Sequence, residues 1–268
     1  MSRDIHTLLE RLWNDYTAIN PQAGRIHELL ASRGETIVSD HIALRTFDDP
    51  RVSVAALSRS FVAGGYEARG EYTFPEKKLF ARHFEHASGE AGLPRVFISE
   101  LKLGDFSPAL RKRVAALLDQ MPADLPKRDD FPVAGRPWNL AVAEYEHLRQ
   151  ESEYAAWMSA FGFRANHFTV LVNALKSFDT LEALNVFLKQ RGFALNATGG
   201  EIKGSPGEYL QQSSTLASQV PVAFTDSKQT IPGCYYEFAR RYPLPDGTLF
   251  SGFVAKSADK IFQSTDRR

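Results

Sequence analysis

The sequence predicts an α+β fold made of two βαβββ modules that form one curved sheet around a shared cavity, with added N-terminal and inter-module helices. Three observations carry this. Asp40-His41-Ile-Ala-Leu is echoed by Asn166-His167-Phe-Thr-Val, each a small polar residue, a histidine and an apolar strand. A helix closed by glycine follows both, with Gly64 falling 23 residues after His41 and Gly192 falling 25 after His167. Beyond each helix the chain runs strand after strand, unlike the strict βαβα alternation of a doubly wound sheet. A curved half-sheet of this kind closes only against a second one, so the first strands of both modules are expected to border the same cavity.

The elements follow in order. Residues 4–19 carry Ile5, Leu8, Leu9, Leu12, Trp13 and Tyr16 at helical spacing, and after Pro21 a second helix carries Ile26, Leu29 and Leu30 up to Gly34. Asp40 to Phe47 reads as a strand, 52–63 as a helix, and 66–74, 79–86 and 95–101 as three further strands. Ser107 followed by Pro108 predicts a capped helix, 122–137 a proline-rich connector, and 145–161 a helix with Tyr154, Trp157, Met158 and Phe161 on one stripe. The second module then reads as a strand at 166–173, a helix at 181–190, and strands at 193–202, 209–217, 220–225, 234–241 and 249–255. The expected organisation is a single domain over 1–268: helices to 35, a first module at 36–104, a helical connector at 105–162, a second module at 163–256 and a tail at 257–268.

Bulk properties narrow the function. Thirty-two Lys plus Arg balance 32 Asp plus Glu, so the strong positive field used in nonspecific nucleic-acid binding is absent, and no nucleic-acid partner is expected. The one cysteine, Cys234, rules out an intramolecular disulfide and any zinc site built on two cysteines. No apolar run approaches about 18 residues and the first residues lack a signal-peptide pattern, so no membrane partner is expected and the cytoplasm is the expected location. The oligomeric state is not legible.

The repeat turns two histidines into candidates. A single histidine in an apolar strand is most often a hydrogen-bonded core residue. His41 and His167, at matching places in two halves that share a cavity, would instead supply one metal ligand each. Glu237, between Tyr236 and Phe238, is the third: a carboxylate buried in a strand is costly unless paired or metal-bound. The competing reading pairs it with Arg240 or Arg241. Two imidazoles and a carboxylate hold a divalent ion and leave positions open, as in non-haem iron oxygenases, with zinc, manganese and nickel as other choices. Arg45 shares a strand face with His41 and Ala43 and suits a substrate carboxylate; Glu100 or Glu71 are alternative partners for it. Glu100 is read as the first module's counterpart of Glu237, with a fourth ligand or an imidazole acceptor as its possible roles. His83 and His86 fall on opposite strand faces, while His6, His27 and His147 are read as solvated. The polar run Gln211 to Thr215 either meets substrate or faces water.

Taken together, Asp40-His41-Ile-Ala-Leu-Arg45, Phe97-Ile-Ser-Glu100-Leu101, Asn166-His167-Phe-Thr, Leu210-Gln-Gln-Ser-Ser-Thr215 and Ile231-Pro-Gly-Cys-Tyr-Tyr-Glu237-Phe resemble the 2-oxoadipate dioxygenase/decarboxylase (hydroxyglutarate synthase) family of the vicinal oxygen chelate superfamily. The resemblance spans about residues 36–256. It implies that His41, His167 and Glu237 match iron(II) ligands, that Arg45 matches the substrate-holding arginine, and that a 2-oxo diacid such as 2-oxoadipate reacts with dioxygen to give a 2-hydroxy diacid such as 2-hydroxyglutarate. The best-known bacterial members are longer, and part of their extra sequence shapes the pocket; this chain looks like a short form, so the metal site carries over better than the substrate. Two other readings use the same residues: a redox-inert lyase, isomerase or hydrolase with a Lewis-acid metal, and a non-enzymatic protein that binds a small anion.

Overall fold

The computed structural model describes residues 4–90 and 92–254. Two antiparallel-leaning halves make one strongly curled eight-stranded sheet. The first half comprises β1 (Ser39–Phe47), β2 (Tyr66–Phe74), β3 (Leu79–His86) and β4 (Arg95–Leu101). The second comprises β5 (Ala165–Leu171), β6 (Lys203–Ser205), β7 (Leu210–Ser214) and, after the separate hairpin β8 (Gln219–Ala223) and β9 (Lys228–Pro232), the last strand β10 (Tyr235–Arg241). Spatial order across the sheet is β2-β3-β4-β1-β5-β10-β7-β6. The halves mirror each other: β1 runs parallel to β4, β5 runs parallel to β10, and β1 meets β5 antiparallel at the seam. The expected pair of βαβββ modules is therefore present, the second carrying the β8–β9 hairpin as an insertion.

The N-terminal helix packs on the convex side, against Phe168 of β5. α1 (Ile5–Ile19) starts at Asp4, whose side chain accepts from the His6 amide, and α2 (Pro21–Ala31) starts on the proline that was expected to interrupt the chain. Trp13 of α1 meets Phe168 of β5 edge-on at 5.1 Å, and the buried Tyr16 hydroxyl donates to the Tyr235 carbonyl at 2.6 Å. These contacts pin the first helix across the seam of the two halves. His27, read as solvated, is half-buried against Trp13 instead, while His6 and His147 are exposed.

Other helices depart from the sequence expectation in instructive ways. The helix expected over 52–63 is two short pieces, α3 (Val54–Leu57) and α4 (Arg59–Ala63), broken at Ser58, whose N–H bonds the Val54 and Ala56 carbonyls. α5 (Pro108–Leu118) is capped by Ser107 as expected. The helix expected over 145–161 is α6 (Val142–Glu151) and α7 (Glu153–Phe161), because Ser152 takes extended φ/ψ and caps the second piece through the Ala155 amide. α8 (Leu181–Gln190) has the expected limits, with Thr180 as its cap.

The strand expected over 193–202 is absent apart from an isolated Leu195–Thr215 bridge. Gly199 and Gly200 both adopt positive φ, and the buried Lys203 ammonium closes the loop by donating to the Asn196 and Gly200 carbonyls at 2.7 and 2.6 Å. The strand expected over 249–255 is likewise only a Pro243–Leu249 bridge followed by irregular chain to 254; its last residue and the expected tail at 257–268 lie outside the described residues.

Candidate metal centre

Strand register brings the candidates together. His41 pairs across the seam with Thr169, and Thr169 pairs with Glu237 on β10, so these three lie in one row across β1, β5 and β10. His167 precedes Thr169 by two residues, and strand side chains alternate, so it joins them on the concave face. The two imidazole Nε2 atoms are 3.3 Å apart. Glu237 places Oε1 3.5 Å from His41 Nε2 and Oε2 3.3 Å from His167 Nε2. All three side chains are buried, at 2, 4 and 0 % exposure.

The surroundings fix the protonation state of each nitrogen. His41 Nδ1 donates to Asp40 Oδ2 at 2.8 Å, and His167 Nδ1 donates to Asn166 Oδ1 at 3.1 Å. With the proton held on Nδ1, both Nε2 atoms carry lone pairs aimed at the same point. Burial lowers both imidazole pKa values, which keeps the rings neutral; for His167 the charges of His41 and Arg45 add to the effect. Glu237 is pushed up to about 8 by burial, against the hydrogen bond from Gln212 Nε2. Its Oε2 has no hydrogen-bond partner among the described residues. The Thr169 hydroxyl lies 3.1 Å from His41 Nε2, whereas the His167 lone pair and Glu237 Oε2 face each other at 3.3 Å and are satisfied only by a proton on Glu237 or by a cation. An ion with bonds of about 2.1 Å separates neighbouring donors by roughly 3.0–3.4 Å, close to the spacings found, so the residues fit a divalent metal.

Asp40 is the support beneath His41. Burial works against its ionisation, but the Arg241 guanidinium and the His41 N–H outweigh burial and hold it well below the usual carboxylate range. Arg241 grips it through two bonds, Nε to Oδ1 at 2.6 Å and Nη2 to Oδ2 at 2.8 Å. Arg241 is thus occupied by Asp40, which removes the alternative in which it neutralises Glu237. Arg240 instead lies over the Tyr242 ring at 5.5 Å.

Arg45 is buried on the same concave face, with its guanidinium carbon 4.9 Å from the ring centres of both Tyr154 and Trp157 on α7. Tyr154 is held in turn by its hydroxyl, which donates to the Ser99 carbonyl at 2.7 Å, and Trp157 by its Nε1–H on the Gly233 carbonyl at 2.8 Å. Arg45 lines a cavity of about 240 Å³ with Lys78, Leu79, Phe106 and Tyr154. The two acidic residues suggested for it by sequence have contacts of their own: Glu71 pairs with Arg82, and Glu100 accepts the Val54 amide at 2.7 Å at the start of α3.

Register also corrects the role of Glu100. His167 pairs with Tyr235, two residues before Glu237; His41 pairs with Arg95, two residues before Phe97. Phe97, not Glu100, is the counterpart of Glu237, so the candidate centre draws two donor residues from the second half and one from the first. Glu100 pairs with Thr46 and lies on the opposite face. His83 faces the concave side and His86 the other, as alternation requires: His83 pairs with Phe97, while His86 contacts the Gly64 carbonyl. In the polar run, Gln212 supports Glu237, Ser213 donates to Asn185 at 2.8 Å, and Gln211 accepts from the Tyr242 hydroxyl. Sequence reasoning missed Asp40, Asn166, Arg241 and Gln212 as supports. The polar residue before each histidine was the available signal.

A curled sheet of paired βαβββ halves, with two histidines and a glutamate on its concave face, is a fold of the glyoxalase, or vicinal oxygen chelate, type. A structure from Ralstonia eutropha JMP134, described provisionally as a glyoxalase superfamily protein, shares this fold with a TM-score of 0.79 over 92% of this chain and 84% of that one, at 22% identity. Within that class, the family model for 2-oxoadipate dioxygenase/decarboxylase matches residues 3–124 and 136–248. The chain belongs to this family. An Arabidopsis thaliana chloroplastic 2-oxoadipate dioxygenase/decarboxylase is 34% identical over 97% of this chain and 76% of its own length. The hydroxyglutarate synthase of Oryza sativa, solved with 2-oxoadipate, superposes with a TM-score of 0.89 at 34% identity, covering 98% of this chain and 92% of that one. A Shewanella frigidimarina structure described provisionally as a hydrolase is 49% identical with a TM-score of 0.90, over 95% and 99% of the two chains.

Proposed function

We propose that the chain is an iron(II)-dependent dioxygenase/decarboxylase that converts a 2-oxo diacid such as 2-oxoadipate, with one dioxygen, into carbon dioxide and a 2-hydroxy diacid such as 2-hydroxyglutarate. His41, His167 and Glu237 hold the metal, and Arg45 grips the substrate carboxylate distant from it. The observation that carries the reading is the convergence of three buried donor atoms, two of them lone pairs fixed by Nδ1 hydrogen bonds, inside a chain of this family. Bound there, iron(II) supplies the one-electron chemistry that dioxygen needs, and three protein ligands leave positions for substrate and dioxygen.

The chain's own residues do the positioning. Both module halves contribute, so the pair acts as one functional unit. Asp40 and Asn166 keep the imidazoles oriented, and Gln212 holds Glu237. Arg45, packed between two aromatic rings, presents a planar fork in a fixed place, which favours a diacid over a monoacid of the same length. The near absence of exposure at the donors keeps bulk water from the reacting atoms.

The test is anaerobic iron loading followed by mixing with oxygenated 2-oxoadipate. The proposal expects oxygen consumed, substrate lost and 2-hydroxyglutarate formed in equal amounts. Turnover that proceeds without oxygen would instead favour the Lewis-acid reading, and absence of turnover across a panel of 2-oxo acids would reject the oxygenase.

A further inference from the structure

After β10 the chain turns at 244–248 and returns as a short strap, residues 249–253, laid over the concave face beside the metal centre. Its backbone makes few bonds to other backbone: a bridge between Pro243 and Leu249, and the Phe250 amide on the Tyr242 carbonyl at 3.1 Å. What seats it is side chains of the sheet. Arg241 Nη1 donates to the Phe250 carbonyl at 2.9 Å and to the Gly252 carbonyl at 2.8 Å. The Phe253 amide donates to the Tyr72 hydroxyl at 3.2 Å. That hydroxyl is hydrogen-bonded to His83 Nδ1 at 2.9 Å, and His83 Nε2 to Glu85 at 3.0 Å. The Phe253 ring then stands edge-on to the His41 ring at 4.8 Å and packs on Phe97 at 4.8 Å.

One guanidinium therefore serves two structures at once. Through Nε and Nη2 it holds Asp40, and Asp40 holds the Nδ1 proton of His41; through Nη1 it holds the strap that carries Phe253 over the same ring. A planar fork cannot move to keep one set of bonds and lose the other without weakening both. We propose that Arg241 is a positioning residue that couples seating of the 249–253 strap to the orientation of His41, so that the strap closes over the metal centre and the ligand is set in one event. Phe253 is the part of the strap that seals the site. The metal donors are almost unexposed with the strap seated, so a substrate that chelates the metal enters when the strap lifts and is enclosed when it returns.

The inference rests on the proposed metal site, and its test reads the strap directly. Hydrogen exchange followed by mass spectrometry is measured on the full chain with and without manganese(II), alongside manganese affinity. In the wild type, manganese is expected to slow exchange across 249–253 at least fivefold. Arg241→Lys keeps the charge but loses the fork; it is expected to weaken manganese binding at least tenfold and to abolish the metal-dependent slowing. Asp40→Asn, which leaves the strap carbonyls their donor, serves as the second variant should the first fail to fold; it is expected to weaken manganese binding and, at manganese concentrations that still saturate it, to leave the strap unprotected. Unchanged strap exchange on metal addition to the wild type, or strap protection that survives in Asp40→Asn, overturns the coupling. A strap that responds to manganese in a protein that never consumes oxygen would refute the oxygenase and leave the coupling standing.

Discussion

At the residue scale, the centre is built from unequal supports. His41 rests on a charged Asp40 backed by Arg241, and His167 on a neutral Asn166. A carboxylate acceptor makes its imidazole the more basic donor. Asp40→Asn is thus expected to lower metal affinity by roughly 10–100-fold, the range usual for loss of an outer acceptor, whereas Asn166→Ala should lower it less; isothermal titration with manganese(II) measures both. Arg45→Lys keeps a charge but loses the planar fork between Tyr154 and Trp157, so KM for a 2-oxo diacid should rise by about tenfold or more with a smaller change for a 2-oxo monoacid. Equal effects on the two substrates would remove Arg45 from diacid recognition. The repeat marked His41 and His167 as candidates; Glu237 was marked by its place between Tyr236 and Phe238, and Arg45 by sharing a strand face with His41. Arg241 was not, because its value lies in an Asp40 contact spanning 201 positions of sequence separation, which no local pattern announces.

At the element scale, the strands that carry the donors were read well and the irregular ones poorly. β1 and β5 are apolar runs opened by a small polar residue, and such runs announce themselves. The run 193–202 ends in Gly199 and Gly200 at positive φ and is closed into a loop by Lys203, whose bonds reach back only three and seven residues, so local turn chemistry wins over its apolar start. The break between α6 and α7 turns on Ser152, which caps rather than continues a helix. That cap sets where Tyr154 and Trp157 meet Arg45. Ser152→Ala should therefore destabilise the protein by about 1 kcal/mol, seen as a lower urea midpoint, and should also raise KM for the diacid. A stability loss with KM unchanged would show that α7 keeps its place without the cap.

At the scale of the whole molecule, two mirrored halves meet along β1 and β5, and that seam is where the donors gather. The duplication was legible; the exchange of Glu237's counterpart for Phe97 was not, because it depends on pairing register and not on motif order. A site assembled across the seam should stabilise the entire fold. At a free metal concentration of about 1,000 times Kd, binding adds about 4 kcal/mol, so chelation should lower Tm by several degrees and metal should restore it. Tyr16→Phe probes the opposite face of the same sheet: it removes the contact of α1 with the Tyr235 carbonyl and should lower stability by about 1–2 kcal/mol with or without metal.

The most direct test is the metal content of protein loaded anaerobically and freed of excess ion, compared across the wild type, His41→Ala, His167→Ala and Glu237→Gln. The account predicts one equivalent per chain in the wild type and loss of bound metal in each folded variant. A full equivalent retained by any of the three would show that the ion is held elsewhere.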